Sequence, residues 1–145
     1  CERLAYLLLE KQSQRRDSGL FLRREAIELF SKAALLYPDD SSLQFRTNLQ
    51  VGRIYSEIGF EDEAVKSFDK ASEFANGPIE EAFIIYHQGK SLGEYGHHEQ
   101  AIALLRKTLD IIPSFMEAYL PLVESYRAQD SLTKSQWKDL MTEIE

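Results

Sequence analysis

The sequence predicts an all-α protein, built as a stack of antiparallel helical hairpins, and three observations support this prediction. A pattern of small and aromatic residues recurs three times, glycine and proline stand where helices would start or stop, and apolar residues recur at helical spacing. The recurring sets are Ala26, Phe30, Ala33 and Pro38, then Ala64, Phe68, Ala71 and Asn76, and finally Ala101, Leu105, Thr108 and Pro113. Repetition at this period indicates stacked supersecondary units, which usually bind other molecules rather than transform them.

The middle repeat shows how one hairpin would form. Gly52 lies on a first helix, at a position where the absent side chain lets a second helix come close. Gly59 is placed to end that helix, because glycine adopts the left-handed conformation at almost no steric cost. The acidic residues 61–63 suit the positive end of the second helix, whose apolar face begins with Ala64 and Phe68. One hairpin cannot bury this face alone, so it needs neighbours.

Toward the N-terminus, the pattern predicts a helix over residues 4–14 and another over 22–37, joined by a lengthened turn over 15–21. Ser41 and Gln44 have the spacing of a capping box, which predicts that the next helix opens at Ser41. After the middle repeat, the helix that carries Gly89 has proline and glycine at its start, with Pro78 suited to a first helical position.

Toward the C-terminus, a helix is expected from about residue 115 to 128, with Val123 and Tyr126 in the slots that glycine and tyrosine hold earlier. Thr133 and Gln136 then form a second capping box before a closing helix without the alanine pattern. We therefore expect a single domain of four approximate units, 4–38, 45–78, 82–115 and 116–145.

These spacings resemble the tetratricopeptide repeat family, whose 34-residue unit is a helix-turn-helix. The residues that carry the resemblance are Gly52, Tyr55, Ala64, Phe68 and Ala71 in one unit, and Gly89, Ala101, Leu105 and Pro113 in the next. No unit has the tryptophan that the family often carries near the start. The resemblance implies a right-handed superhelical stack, a TPR-like α-solenoid, whose concave groove is lined by the first helix of each hairpin and binds a peptide of a partner protein.

Projecting the groove-facing positions of that family onto this chain places basic, aromatic and acidic side chains in the groove. The candidate peptide-binding residues are Arg46, Gln50, Arg53, Phe83, Tyr86, His87 and Lys90. The same projection adds Leu49, Ser56, Glu57, Glu94, Glu117, Leu120, Glu124 and Arg127. The basic and aromatic members favour an acidic or carboxylate-ended peptide. A solvated helix face of mixed charge explains the same residues equally well.

The composition argues against several other classes of function. A net charge of −7 disfavours nucleic acid as a partner, which needs a basic surface. No apolar stretch approaches the ~18 residues of a membrane span. The histidines His87, His97 and His98 lack a converging set of further ligands, and neither a nucleophile motif nor a phosphate-binding loop is present. We therefore predict no metal, no cofactor, no catalytic residues and no enzymatic activity.

The ends of the chain leave alternatives open. Cys1 stands where an initiating methionine is absent, so we expect a processed protein or a fragment of a longer one, with a lipid-bearing lipoprotein cysteine as the less favoured reading. A lone cysteine forms no internal disulfide, which favours a reducing, cytoplasmic compartment. The terminal helices, through Leu4, Leu7, Trp137 or Met141, could instead mediate self-association or stacking on further repeats. A third alternative is a regulatory domain of an enzyme that lies outside this segment.

Overall fold

The structure, a computed structural model, describes residues 2–12, 19–129 and 141–142. All regular secondary structure within these residues is helical, so the predicted all-α class is confirmed. The helices are α1 (Glu2–Gln12), α2 (Gly19–Leu36), α3 (Ser41–Ile58), α4 (Glu61–Glu73), α5 (Pro78–Glu94), α6 (His98–Ile111), a short 3₁₀ helix (Met116–Ala118) and α7 (Tyr119–Ala128). None of the described helices has the length and apolar character needed to cross a bilayer.

The chain divides into two compact units, Cys1–Asn76 and Gly77–Glu145. In the first unit α1 packs on α2, α2 on α3, and α3 on α4, and in the second α5 packs on α6 and α6 on α7. Consecutive helices therefore pair as hairpins, as expected for helices joined by short connections. The arrangement of these hairpins as a superhelical stack stays a prediction.

Each unit has one hairpin in which a glycine of the first helix faces a large side chain of the second helix. These hairpins are α3–α4 in the first unit and α5–α6 in the second. In the first unit, a Cβ atom on Gly52 would lie 2.7 Å from two carbon atoms of the Phe68 ring. The Phe68 side chain is only 1% exposed. In the second unit, a Cβ atom on Gly89 would lie 3.0 Å from Cγ of Leu105. The close approach that the sequence predicted for the first-helix glycine is confirmed.

Left-handed glycines end the first helix of both hairpins. Gly59 has a φ of 94°, and its N–H donates to the carbonyl of Ser56 at 3.3 Å. The N–H of Phe60 donates to the carbonyl of Tyr55 at 2.9 Å, which completes a Schellman motif. Gly96, with a φ of 88°, ends α5 with the same two bonds. The helix end predicted at Gly59 is confirmed.

The start of α3 differs from the prediction, because Asp40 caps it and Ser41 is already helical. The Asp40 carboxylate accepts the N–H of Leu43 at 3.1 Å. Aspartate and serine cap equally well, so two adjacent candidates gave the sequence no basis for choosing between them. Gln44 is buried, and its amide donates to the carbonyls of Ala34 at 2.7 Å and Tyr37 at 3.1 Å. It thereby satisfies carbonyls that the end of α2 leaves open.

Two further boundaries differ from the predictions. α2 begins at Gly19, so the predicted turn over 15–21 ends earlier than expected, and residues 13–18 lie outside the described part. The helix expected from about residue 115 starts as a 3₁₀ turn and becomes α-helical only at Tyr119. Pro121 explains this, because it has no N–H for an α-helical bond to the carbonyl of Glu117. The second capping box, Thr133 and Gln136, also lies outside the described residues.

Replacing Gly52 by alanine is expected to lower the free energy of unfolding by about 1–3 kcal/mol, because the new methyl group would overlap the buried Phe68 ring. The gain of about 1 kcal/mol that alanine usually brings to a helix offsets only part of this cost. Urea unfolding followed by circular dichroism measures the change. The matched background is Phe68→Leu, in which the ring is absent and the same glycine substitution should cost less. A Gly52→Ala protein more stable than the wild type would contradict the close packing.

Candidate functional site

The seven residues predicted to bind a peptide lie on two helices, one in each unit. Arg46, Gln50 and Arg53 lie on α3, and Phe83, Tyr86, His87 and Lys90 lie on α5. Within each unit, the environment of these residues shows what they are able to contact.

In the first unit, Arg46 is bound to α1. Its Nε atom lies 3.2 Å from Oε1 of Glu2, and its Nη2 atom donates to Oε2 of the same carboxylate at 3.3 Å. This two-point geometry fits the planar guanidinium to the carboxylate. Both side chains are partly exposed, so the pair contributes no more than about 1 kcal/mol to stability. Its main effect is to balance the charge of Arg46.

Arg53 shares a second carboxylate on the same helix. Glu57 lies 3.8 Å from Nε of Arg53 and 3.3 Å from Nη2 of Arg23 on α2. In the described structure, buried atoms of two neighbouring side chains on α3 have no hydrogen-bond partner: Oε1 of Gln50 and Nε of Arg53. The positive charges predicted for this part of the groove are therefore largely balanced by Glu2 and Glu57.

In the second unit, a groove of about 480 Å³ opens between α5 and α7. This volume lies within the range of small-ligand sites, about 300–1,000 Å³. Its lining comprises Tyr86, Lys90, Gly93 and Glu94 from α5, His98 from α6, Glu117 from the 3₁₀ helix, and Leu120, Pro121, Glu124 and Ser125 from α7. The projection from the sequence had placed Tyr86, Lys90, Glu94, Glu117, Leu120 and Glu124 on a groove face, and the structure brings these six together.

Gly93 lets the two walls of this groove approach each other. A Cβ atom at Gly93 would lie 3.0 Å from Oγ of Ser125 on α7 and 3.6 Å from Cβ of Ala101 on α6. A side chain at this position would be in tight contact with Ser125. The sequence analysis did not single out Gly93, because this residue lies one turn after the repeat glycine Gly89 and outside the repeated pattern. In the structure its φ is negative.

A cluster of ring side chains packs beside the groove. The Tyr86 ring lies 4.8 Å from the ring of Phe115 and 4.9 Å from the ring of His87, measured between centroids. Phe83 meets Phe115 edge to face at 5.4 Å. Such pairs fix the orientation of each ring. Phe115 was predicted only as the start of a helix, and its role in joining Phe83 to Tyr86 depends on the 3₁₀ turn that follows it.

Among the described residues that line it, the groove has more negative than positive side chains. Glu94, Glu117 and Glu124 supply three carboxylates, and Lys90 supplies one ammonium group. Burial raises the pKa of Tyr86 above 10.0, and the charges of Glu117 and Glu94 raise it further. The Tyr86 hydroxyl is therefore protonated at neutral pH. The charge of this groove does not favour the acidic peptide that the sequence analysis expected.

His98 and Ser125 join two helices at the end of the groove. The Nδ1 atom of His98 lies 3.4 Å from Oγ of Ser125. His98 is half-buried and is the first residue of α6. Within residues 2–12, 19–129 and 141–142, no group of three His, Cys, Asp or Glu side chains is arranged to hold a metal ion.

The fold and the groove define this chain as an all-α protein of packed hairpins with a ligand-sized groove in its second unit. No family model matches the sequence, and the comparison with curated proteins finds no match either. Its function is therefore argued from the groove.

Replacing Glu117 by glutamine is expected to lower the pKa of Tyr86, because the change removes a carboxylate that disfavours the phenolate. Burial is the largest cause of the shift and remains, so the pKa should stay above 10.0. Titration of the ring carbon signals by NMR measures this. Glu99→Gln, an exposed carboxylate on α6 that does not line the groove, is the control and should leave the titration unchanged. An unaltered Tyr86 titration in Glu117→Gln would contradict the proximity of the two groups.

Proposed function

We propose that this chain is a protein-interaction module, and that the groove between α5 and α7 binds a peptide segment of a partner protein. The observation that carries the proposal is the groove itself, about 480 Å³, formed by side chains from four helical elements. We also propose that the hairpins belong to the tetratricopeptide type, with the superhelical stacking that this family implies. The glycine contacts at Gly52 and Gly89, at equivalent positions of two hairpins, support this assignment.

The groove suits a peptide because its walls are already in place. Tyr86 is packed against Phe115 and His87, and α5 is fixed from behind by the contact of Gly89 with Leu105. Little conformational entropy would be lost on the side of the receptor, so a modest contact area gives useful affinity. Leu120 and Pro121 supply an apolar wall for the side chains of a bound segment.

Binding fits this site better than catalysis does. Ser125 and His98 have the residue types of a nucleophile and its base, but Ser125 is only 2% exposed and a substrate could hardly reach it. The net charge of −7 supports a protein partner over a nucleic acid. The proposal therefore assigns the chain neither an enzymatic activity nor a cofactor.

Peptide binding predicts that Leu120→Ala weakens capture of a groove ligand about threefold to tenfold, because the loss of partial leucine burial is worth about 1 kcal/mol. Displayed random dodecapeptides are selected on the immobilised chain, and the strongest is synthesised with a fluorophore for anisotropy titration.

Ile79→Ala is the matched control for this experiment. Ile79 is 61% exposed and Leu120 is 66% exposed, but Ile79 does not line the groove. The control should bind like the wild type. Selection of no peptide, or equal binding by the Leu120 variant, would contradict the proposal.

A second candidate function is assembly with another copy of the chain. Apolar side chains at the start of the first unit are exposed: Leu4 and Leu7 on α1, and Leu20 and Phe21 on α2, with Phe21 69% exposed. Exposed apolar side chains of this size are typical of protein contacts where they form a contiguous patch.

If this surface pairs two copies, sedimentation velocity at micromolar concentration should detect a dimer, and Phe21→Glu should return it to a monomer. Val65→Glu, a substitution of an exposed apolar residue on α4, is the control and should leave the dimer intact. A wild-type chain that sediments as a monomer at all concentrations tested would exclude this candidate.

A further inference from the structure

We propose that the groove between α5 and α7 selects a peptide segment by a positively charged side chain, a lysine or an arginine, which it holds between the carboxylates of Glu94, Glu117 and Glu124 and beside Tyr86. This inference rests on the proposed function, and it specifies the chemistry of the partner.

The placement of the carboxylates is the first step. Glu94 lies on α5, Glu117 on the 3₁₀ helix and Glu124 on α7, and all three line one groove. They are therefore not a run of charges along one solvated helix. Lys90 is the single lysine or arginine among the described lining residues, so the carboxylates outnumber it and the groove attracts positive charge.

Tyr86 is suited to contact a cation. The residue is only 8% exposed and lines the groove. The hydroxyl oxygen accepts hydrogen bonds from an ammonium or guanidinium group, and the face of the ring attracts a cation.

The shape of the groove fits a long side chain better than it fits a metal ion. The described lining carboxylates are not gathered into a metal-binding group. A lysine or arginine has a hydrocarbon stem that packs on apolar surface while its charged end reaches polar groups. Leu120 and Pro121 provide that apolar surface on the same wall as Glu124.

An acidic ligand is disfavoured by the same charges. It would add a carboxylate to a groove that already contains Glu94, Glu117 and Glu124, with Lys90 as its one strong cationic partner in the described lining. Repulsion of this kind gives specificity, because it weakens binding of the wrong ligand as well as favouring the right one.

The test uses five pools of a synthetic peptide library on the immobilised chain. Each peptide has the form acetyl-Ala-X₃-Z-X₃-Ala-amide with a fluorophore, where X is any uncharged residue except cysteine and Z is Lys, Arg, Gln, citrulline or Glu. We expect the Lys or Arg pool to be retained about tenfold more than the Glu pool, and more than its neutral partner, Gln or citrulline.

Two matched double variants assign this preference to the groove. Glu117→Gln with Glu124→Gln should reduce retention of the Lys and Arg pools to nearly that of the neutral pools. Glu81→Gln with Glu99→Gln removes the same charge from exposed positions of the same unit outside the groove, and should preserve the preference. Circular dichroism verifies that each variant is folded.

The remaining outcomes separate this inference from the proposed function. Equal retention of all five pools, with binding still weakened by Leu120→Ala, would overturn the charge preference and preserve peptide binding. A preference for the Glu pool would also overturn the charge preference. An equal loss of Lys and Arg retention in both double variants would overturn it as well, because the attraction would then not depend on the groove carboxylates. Retention of no pool would overturn the inference and count against the proposed function as well.

Discussion

The contact between a helical glycine and a large buried side chain is the constraint on which the rest of this structure depends. Gly52 accepts the Phe68 ring, and Gly89 accepts Leu105, so that the two helices of each hairpin approach more closely than any side chain would allow. In the second unit the consequence extends to the groove. One face of α5 is fixed against α6. The groove is therefore lined by another face of α5, whose residues recur at intervals of four: Tyr86, Lys90 and Glu94. The packing that stabilises the hairpin therefore also positions the residues that line the groove.

Most of the local structure could be predicted from the sequence, because it depends on residues with narrow backbone or packing requirements. Gly59 ends a helix since it adopts a positive φ, and Pro78 begins one since its missing N–H is not needed there. Predictions failed where neighbouring residues competed or where a later residue intervened. Asp40 and Ser41 were both able to cap α3, and Pro121 delays the α-helical start of α7. Neither outcome follows from the repeat pattern, because the pattern specifies faces of helices and not their first hydrogen bonds.

The charge of the candidate site was harder to predict than its location. Six of the groove-lining residues follow from the projected helix face, whereas His98, Pro121 and Ser125 depend on how α6 and α7 meet α5. The sequence analysis counted Arg46 and Arg53 among the basic residues of the predicted groove. In the structure these cations lie beside carboxylates, one of which, Glu2, is far away in the sequence. A charge is cancelled or retained according to tertiary neighbours, so counting lysines and arginines along a predicted face overestimated its positive character.

The packing of the groove walls and the charge of the groove depend on different residues. A Cβ atom at Gly93 would lie 3.0 Å from Oγ of Ser125, which is buried and lies 3.4 Å from Nδ1 of His98. The carboxylates of Glu117 and Glu124 are exposed and make no comparable contribution to packing. Substituting them changes the charge that a ligand meets and leaves the separation of the helices intact. Under the proposed function, a few surface substitutions in the groove would therefore change the class of peptide ligand without altering the packing of α5 on α7.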